Sequence, residues 1–301
     1  MISVVIPVYN MENYIEQTLL SVLSQERADF EVVVVNDGST DRSGEIIRRY
    51  ADRIILIEQE NIGLERVRNV AIAHAQAELI ALLDADDLYL PGHLANLQEF
   101  AKKHPEASAF YGDVWLIDPQ GKRLWIQKTP KQATLKNLLF GNFIVHSSVI
   151  INRRSFPQEK YYQPCGPAAD WDLWMRALDH GPLLHYPWIG VEYRKHLESA
   201  IHQNQILTEE SDLNLLGRIF SRHSELDQKL KNKALAQAYC SSMIRFLAAG
   251  KNKEAHARAI LSLRKNPMLV KTWLGLAVSL LPKSISQELI NLRRKILKWL
   301  T

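Results

Sequence analysis

Apolar and polar positions alternate in blocks along the first part of the chain. A β-branched run, "ISVVIPVYN", is followed by "NMENYIEQTLLSVLSQ", in which Tyr14, Ile15, Leu19, Val22 and Leu23 recur at helical spacing. The succession then repeats. "FEVVVVNDGSTDRSGEIIRRYA" reads as strand, turn and amphipathic helix, "RIILIEQE" as strand, "LERVRNVAIAHAQA" as helix and "ELIALLDADD" as strand. Strands apolar on both faces that alternate with helices specify a parallel sheet covered on each side. From about residue 107 the alternation loosens. "ASAFYGDVWLID" and "KRLWIQK" read as strands joined by a Pro-Gln-Gly turn, "HSSVIINRRSF" as a strand, "ADWDLWMRALDHG" as a helix closed by Gly181, and "LLHYPWIGVEYRKH" as a final strand. The sheet is therefore expected to become mixed. Beyond about residue 205 the pattern is helical throughout, and Tyr239 and Trp273 stand 34 residues apart, the repeat length of tetratricopeptide helices. One repeat and part of another do not make a solenoid. The predicted organisation is one domain over 1–204 and a basic helical region, partly tetratricopeptide-like, over 205–301.

In an open sheet of this kind, ligands bind beyond the carboxyl ends of the strands. Tyr9, Asn10, Asn36, Asp37, Asp84 and Asp86 all lie at such ends and are expected to share one crevice. Within "ELIALLDADDLYL" an apolar run breaks into three carboxylates, Asp84, Asp86 and Asp87. Alternate residues of an extended segment point the same way, so Asp84 and Asp86 can present oxygens on one face. Hard ligands of that type suit Mg²⁺ or Mn²⁺, which keep several waters and complete their shell with substrate phosphates. A solvated acidic turn ahead of the helix at "LPGHLANLQEFAKKH" is the competing reading. In "VNDGSTD" the cap of the next helix accounts for Thr40 and Asp41, which leaves Asp37 at the strand's end to accept hydrogen bonds from a base or ribose. Asp170 opens "DWDLWMRALDHG", whose Trp171, Trp174 and Leu178 share a face. It can cap this helix or, kept ionised by the helix dipole, act as a general base.

Composition narrows the classes. With 301 residues and 47% hydrophobic content the chain can bury a sizeable core. No apolar run approaches the roughly 20 residues of a membrane span. "MISVVIPVYN" lacks the basic start and cleavage site of a signal peptide, and Cys165 and Cys240 show no CxxC pairing, so a cytosolic protein is expected. Neither G-x-G-x-x-G after the first strand nor G-x-x-x-x-G-K-[ST] occurs. A pyrophosphate would then be neutralised not by a glycine loop but by a metal at Asp84 and Asp86 with nearby Arg or His. The net charge of +4 hides a split: residues 229–301 carry 15 Lys and Arg against two acids, a surplus of 13, and the remainder 22 against 31, a deficit of nine.

Taken in order, "VVIPVYN", "VVVNDGSTD", "NIGLERVRNVAIAHAQAELIALLDADD", "ADWDLWMRAL" and "YRKH" resemble the family 2 glycosyltransferases of the GT-A fold, over roughly residues 1–200. The resemblance implies an α/β architecture, a GT-A type Rossmann-like mixed sheet sandwiched by helices, here with a C-terminal α-helical appendage. It also implies a nucleotide-sugar donor, a divalent metal and inversion at the anomeric carbon. By position, Pro7, Val8 and Tyr9 would line the base pocket and Asp37 would hold the uracil or ribose. Asp84 and Asp86 fall on the family's D-x-D, contacting the ribose and the metal that bridges the diphosphate; Arg68 would face the nucleotide. Asp170 falls on the catalytic base, and His196 on a histidine near the diphosphate or metal. The sequence departs at Ala169, where the family usually has Glu, so support of the base or the acceptor differs here although the base is retained. The implied activity is transfer of a sugar, from a UDP-sugar in the first expectation, to an acceptor hydroxyl in bacterial cell-surface polysaccharide or glycolipid synthesis.

The basic region ends "LINLRRKILKWL", with Leu289, Leu292, Ile296 and Trp299 interleaved with Arg293, Arg294, Lys295 and Lys298. Such a helix can lie on anionic lipid, making the enzyme peripheral on the inner face of the cell membrane, or pack on its own domain. The expected partners are the nucleotide-sugar donor, a glycan or lipid-linked acceptor and that membrane surface. Nucleic acid is not expected, because aromatic and basic residues form no stacking groove. Acceptor contacts are expected between Tyr111 and Gln163, with His146 and Arg154 as candidates for that role or for core and surface roles. The rival from another class is a non-catalytic, transferase-like scaffold, against which the retained Asp37, Asp84, Asp86 and Asp170 argue.

Overall fold

Strand β1 (Ile2–Val8) is buried along its whole length, as a β-branched run with both faces covered must be. The computed structural model describes residues 1–195, 205–286, 288 and 289. The chain divides into two units, one of Met1–Leu135, Phe143–Pro164 and Ala169–Leu197, the other of Lys136–Asn142, Cys165–Ala168 and Glu198–Thr301.

After β1 come α1 (Ile15–Leu23), β2 (Phe30–Asp37), α2 (Ser43–Arg48), β3 (Ile55–Gln59), α3 (Leu64–His74), β4 (Leu79–Leu82), β5 (Leu88–Tyr89) and α4 (His93–Lys103). The next elements are β6 (Ala109–Tyr111), β7 (Val114–Ile117), β8 (Arg123–Gln127), β9 (Gln132–Ala133) and a single turn, α5 (Leu135–Leu138). Then follow β10 (Ile150–Asn152), α6 (Ala169–Leu178), β11 (Leu183–His185) and β12 (Val191–Arg194). An eight-stranded sheet has the order β3-β2-β1-β4-β10-β6-β11-β9, and a four-stranded sheet the order β5-β12-β7-β8. β3, β2, β1 and β4 are parallel, while β10 runs antiparallel to both β4 and β6. The expected change from a parallel to a mixed sheet thus falls at β10.

Pro7 in a central strand needs an explanation, because proline cannot donate to a ladder. β4 pairs with β1 only from Ile2 to Val5, whereas β2 follows β1 out to Val8. Pro7 therefore lies where β1 is paired on one side only, and the early end of β4 opens the space beyond it.

Three segments that read as single strands are interrupted. "ASAFYGDVWLID" divides at Gly112 into β6 of the large sheet and β7 of the small one, and "LLHYPWIGVEYRKH" divides between β11 and β12 in the same way. Aromatic rings occupy both crossings: a Cβ at Gly112 would fall 1.9 Å from the Tyr186 ring, and one at Gly190 would fall 1.7 Å from the His93 imidazole. In "HSSVIINRRSF" the first three residues form a 3₁₀ turn, His146–Ser148, and only Ile150–Asn152 is strand.

The second unit contains α7 (Gln205–Arg222), α8 (Gln228–Ala248), α9 (Asn252–Lys265) and α10 (Val270–Ser279). Asp227 caps α8 by accepting the Leu230 N–H at 2.6 Å. Cys240, Met243, Phe246 and Leu247 of α8 pack against Ala255 and Ala259 of α9. Of the basic segment the sequence singled out, residues 290–301 lie outside the described residues, as does His196.

Because Gly190 has no space for a Cβ against the buried His93, Gly190→Ala is expected to lower stability by about 1–3 kcal/mol through overpacking. Urea denaturation checks it: the midpoint falls while the slope is unchanged.

Candidate active site

The tips of β1 and β2 are tied together by polar groups. The Thr40 N–H donates to Asn10 Oδ1 at 2.8 Å and the Asn10 N–H to Ser39 Oγ at 3.1 Å, with Asn10 itself in the left-handed region at φ 54°. Asp37, at the end of β2, is buried. Its carboxylate accepts from Gln59 Nε2 at 2.7 Å and from the N–H groups of Ile62 and Gly63 at 3.0 and 3.2 Å. Gly38 makes this wrap possible: its φ is +71° and a Cβ there would lie 2.7 Å from the Asn61 nitrogen. A carboxylate offers about four lone-pair positions, so these three bonds leave Asp37 with one acceptor site. Pro7 and Val8 are buried beside it in β1, and Tyr9 is exposed at the strand's tip.

Beyond β4 the three carboxylates separate into different environments. Asp84 Oδ1 accepts from Arg68 Nη2 at 2.7 Å and lies 3.2 Å from His146 Nδ1. Burial alone would raise the Asp84 pKa, but the adjacent His146 ring and the Arg68 guanidinium outweigh it and hold the carboxyl well below the usual range. Arg68, buried on α3, lies over the Tyr162 ring at 5.2 Å. Burial works against its charge, and the Asp84 carboxylate more than compensates. Asp87 is fully buried, accepting from Ser147 Oγ at 2.5 Å and from the Arg194 N–H at 2.8 Å. Burial, and then the charges of Asp86 and Asp84, push its carboxyl well up. Ser147 joins the two acids, since its Oγ also accepts the Asp84 N–H at 3.1 Å.

Asp86 is half-buried, and its segment is clamped on both sides. Its carbonyl accepts from Arg194 Nε at 2.8 Å, and the neighbouring Ala85 carbonyl accepts from Thr18 Oγ1 at 2.9 Å. Asp84 and Asp86 are hard carboxylate donors of the kind Mg²⁺ or Mn²⁺ takes. Among the described residues no group of three His, Cys, Asp or Glu side chains could hold a metal alone. The donor set fits an ion that a substrate diphosphate and water would help to coordinate.

Asp170 stands in the first turn of α6, where its Oδ1 accepts the Trp171 N–H at 2.8 Å. Trp171 and Trp174 are buried and hold that end of the helix down. Burial raises the Asp170 pKa; the nearby His146 ring and Arg68 guanidinium restrain the rise, and the charge of Asp84 adds to it. Asp84, Arg68, His146 and Asp170 therefore share one electrostatic environment although they come from four separate segments.

Several members of this group carried little sequence signal. His146 donates to or accepts from the Tyr162 hydroxyl at 2.6 Å through Nε2, and its ring lies 6.4 Å from that of Trp174. The only clue was a polar "HSS" ahead of an apolar run. Tyr193 sits among the acids: burial and the charges of Asp87, Asp84, Asp86 and Asp170 all push its hydroxyl pKa up. Ala169, buried beside Asp170, provides no carboxylate of its own. Arg154, the other candidate for acceptor contacts, donates through its N–H to Asn152 Oδ1 at 3.2 Å.

With this geometry in view, comparisons with known proteins are informative. The family model described as "Glycosyl transferase family 2" matches residues 3–158. An uncharacterized glycosyltransferase of Rickettsia bellii is 27% identical over 270 residues, covering 86% of this chain and 39% of that protein. The chain thus spans well under half of that relative's length. Among solved structures, S. aureus TarS 1-349 is similar with a TM-score of 0.61 and 18% identity over 92% of this chain and 89% of its own. The same fragment is known in complex with UDP-GlcNAc. The mannosyltransferase PcManGT of Pyrobaculum calidifontis, solved with GDP-Man and Mn2+, gives a TM-score of 0.56 and 18% identity over 95% of this chain and 86% of its own. These likenesses establish the GT-A fold expected for the mixed sheet and its helices.

Removing Asp84 leaves Arg68 buried without its counter-charge, so Asp84→Ala is expected to cost about 3–5 kcal/mol. Urea denaturation of Asp84→Ala and of the double variant with Arg68→Met checks this, the double variant recovering most of the loss. The sign with pH follows from the lowered carboxyl. Its contribution to stability is fully present above the unfolded value of about 3.9 and is lost as pH falls toward the folded value.

Proposed function

Because the chain belongs to glycosyl transferase family 2, we propose that it is an inverting glycosyltransferase that moves a sugar from a nucleotide-diphosphate sugar, a UDP-sugar in the first instance, to an acceptor hydroxyl. The observation that carries this reading is the shared environment of Asp84, Arg68, His146 and Asp170 beyond the end of β4. Pro7, Val8 and Tyr9 line the base, and the remaining acceptor position on Asp37 takes a base or ribose proton. Arg68 faces the nucleotide while fixing Asp84. Asp86, with Asp84, holds Mg²⁺ or Mn²⁺; His196, which lies outside the described residues, is assigned near the diphosphate. When bound, the ion offsets the charge that gathers on the leaving diphosphate.

Chemistry on the acceptor side needs one base. Asp170 takes the proton of the acceptor hydroxyl as its oxygen forms the new bond to the anomeric carbon. The bond from that carbon to the diphosphate oxygen breaks on the opposite face, and its electron pair leaves with the nucleotide. A single displacement of this kind inverts the configuration. The acceptor is a glycan or lipid-linked hydroxyl of the class used in cell-surface polysaccharide or glycolipid synthesis, met by residues between Tyr111 and Gln163. Nucleic acid has no part in this reading. The domain assignment is a catalytic 1–204 and a basic helical 205–301 that rests on an anionic membrane surface at the cytoplasmic face. Among the described residues no helix is long and apolar enough to cross a membrane.

UDP with Mn²⁺ is expected to raise the melting temperature, and Asp86→Ala to abolish that rise; a transferase-like scaffold would respond in neither case. A screen of nucleotide sugars for metal-dependent hydrolysis then identifies the donor.

Asp170→Asn is expected to lower turnover by about 10²–10⁴-fold while leaving the UDP-induced rise in place. Asp170 works only when ionised, and burial raises its pKa. The acid limb of kcat/KM should therefore fall at a pH above the roughly 3.9 of a free aspartate. A limb at or below that value would count against Asp170 as the base.

A further inference from the structure

Helix α10 packs Leu276 and Val278 against the α8–α9 core yet keeps its largest apolar side chains outside. Its buried positions are Thr272, Gly275 and Ser279: Thr272 Oγ1 is 3.0 Å from Ser262 Oγ, and Gly275 lies against the Met243 side chain, which leaves no room for a Cβ. Apart from Lys271, its outward positions are apolar. Val270, Trp273, Leu274 and Leu280 recur at the spacing of one helical face, with Trp273 53%, Leu274 65% and Leu280 70% exposed. Met268, just before the helix, and Ile285, just after it, are exposed as well. The one polar atom of Trp273 is already used, since Nε1 donates to the Pro267 carbonyl at 2.8 Å. A soluble helix ordinarily shows the reverse pattern, and a contiguous exposed apolar face marks a surface that something covers.

Charge identifies what would cover it. Between Glu254 and Glu288 the sequence has no acidic residue, yet it contains Arg258, Arg264, Lys265, Lys271 and Lys283. Arg264, Lys265, Lys271 and Lys283 are exposed, Lys271 at the edge of the apolar face itself. An apolar strip with an indole, rimmed by cations, on a helix of 10 residues is too short to span a bilayer and suited to lie in its interface. We propose that the outer face of α10 docks the protein on an anionic lipid bilayer, with Trp273, Leu274 and Leu280 entering the headgroup boundary and Lys271 and Lys283 meeting lipid phosphates. This gives the membrane part of the proposed function a defined surface, formed by none of the donor-site or base residues.

Flotation of the full chain with vesicles tests it, without nucleotide, so that failure of the donor assignment leaves the result untouched. The chain is expected to float with vesicles of equal parts phosphatidylglycerol and phosphatidylcholine, and to be released by high salt. The double variant Trp273→Glu/Leu274→Glu should lose flotation. Lys271→Glu, which changes only the rim, should weaken it by roughly tenfold. Melting temperatures equal to that of the unsubstituted chain establish that both variants are folded. Absence of flotation, or flotation undiminished in both folded variants, overturns the proposal. So does light scattering in which the unsubstituted chain is a dimer and the double variant a monomer, because the face would then belong to a second copy.

Discussion

Everything at the candidate site depends on keeping acidic side chains together where a buried sheet ends. β4 stops at Leu82 while β1 runs on to Val8, and the chain passes from core to charge within two residues. Burying carboxylates is costly unless each finds a partner. The chain solves the problem differently for each acid. Asp84 is paired with Arg68 and faces His146, which keeps it ionised. Asp87 is sunk into the protein on Ser147 and the Arg194 N–H, where its protonated form is favoured. Asp86 is left half-buried between them with its main chain fixed. Of three like charges within four positions, one is paired with a cation, one is pushed toward neutrality, and one is half-buried on a segment whose carbonyl is held by Arg194.

Arg194 is the strut that makes this arrangement rigid. It is fully buried on β12, donates to the carbonyls of Asp86 and Pro119 and to Gln17 Oε1, and lies over the Tyr14 ring. The small sheet thereby holds the acidic turn that leaves the large one. That contact requires the chain to pass between sheets, and Gly112 and Gly190 permit the passage by leaving room for Tyr186 and His93. His93 is packed there as a neutral ring, since burial lowers its pKa to about 3. Asp170 arrives on a distant helix, where it accepts the Trp171 N–H and where Trp171 and Trp174 are buried.

The second unit follows the opposite logic at one helix. Cys240, Met243 and Phe246 form an ordinary apolar centre, against which α10 packs Leu276 and Val278 and buries Thr272, Gly275 and Ser279, while Trp273 and Leu274 stay outside. Close approach explains the inner choice: Gly275 lets the Met243 side chain contact the helix backbone.

Much of the framework was legible along the chain. Blocks of β-branched residues alternating with helical spacing determined the parallel strands β1 to β4, because side-chain periodicity is a local property. The positions of Asp37 at the end of β2 and of Asp84 just beyond β4 were legible for the same reason. Tertiary structure alone decided the sheet crossings, since an apolar run such as "ASAFYGDVWLID" has one pattern whether it belongs to one sheet or two. It also decided which acid is ionised. Asp84, Asp86 and Asp87 are the same residue type within four positions, and they differ only through Arg68, His146, Ser147 and Arg194, which arrive from elsewhere in the sequence. Ionisation and burial depend on distances between segments, and one-dimensional patterns carry no such distances.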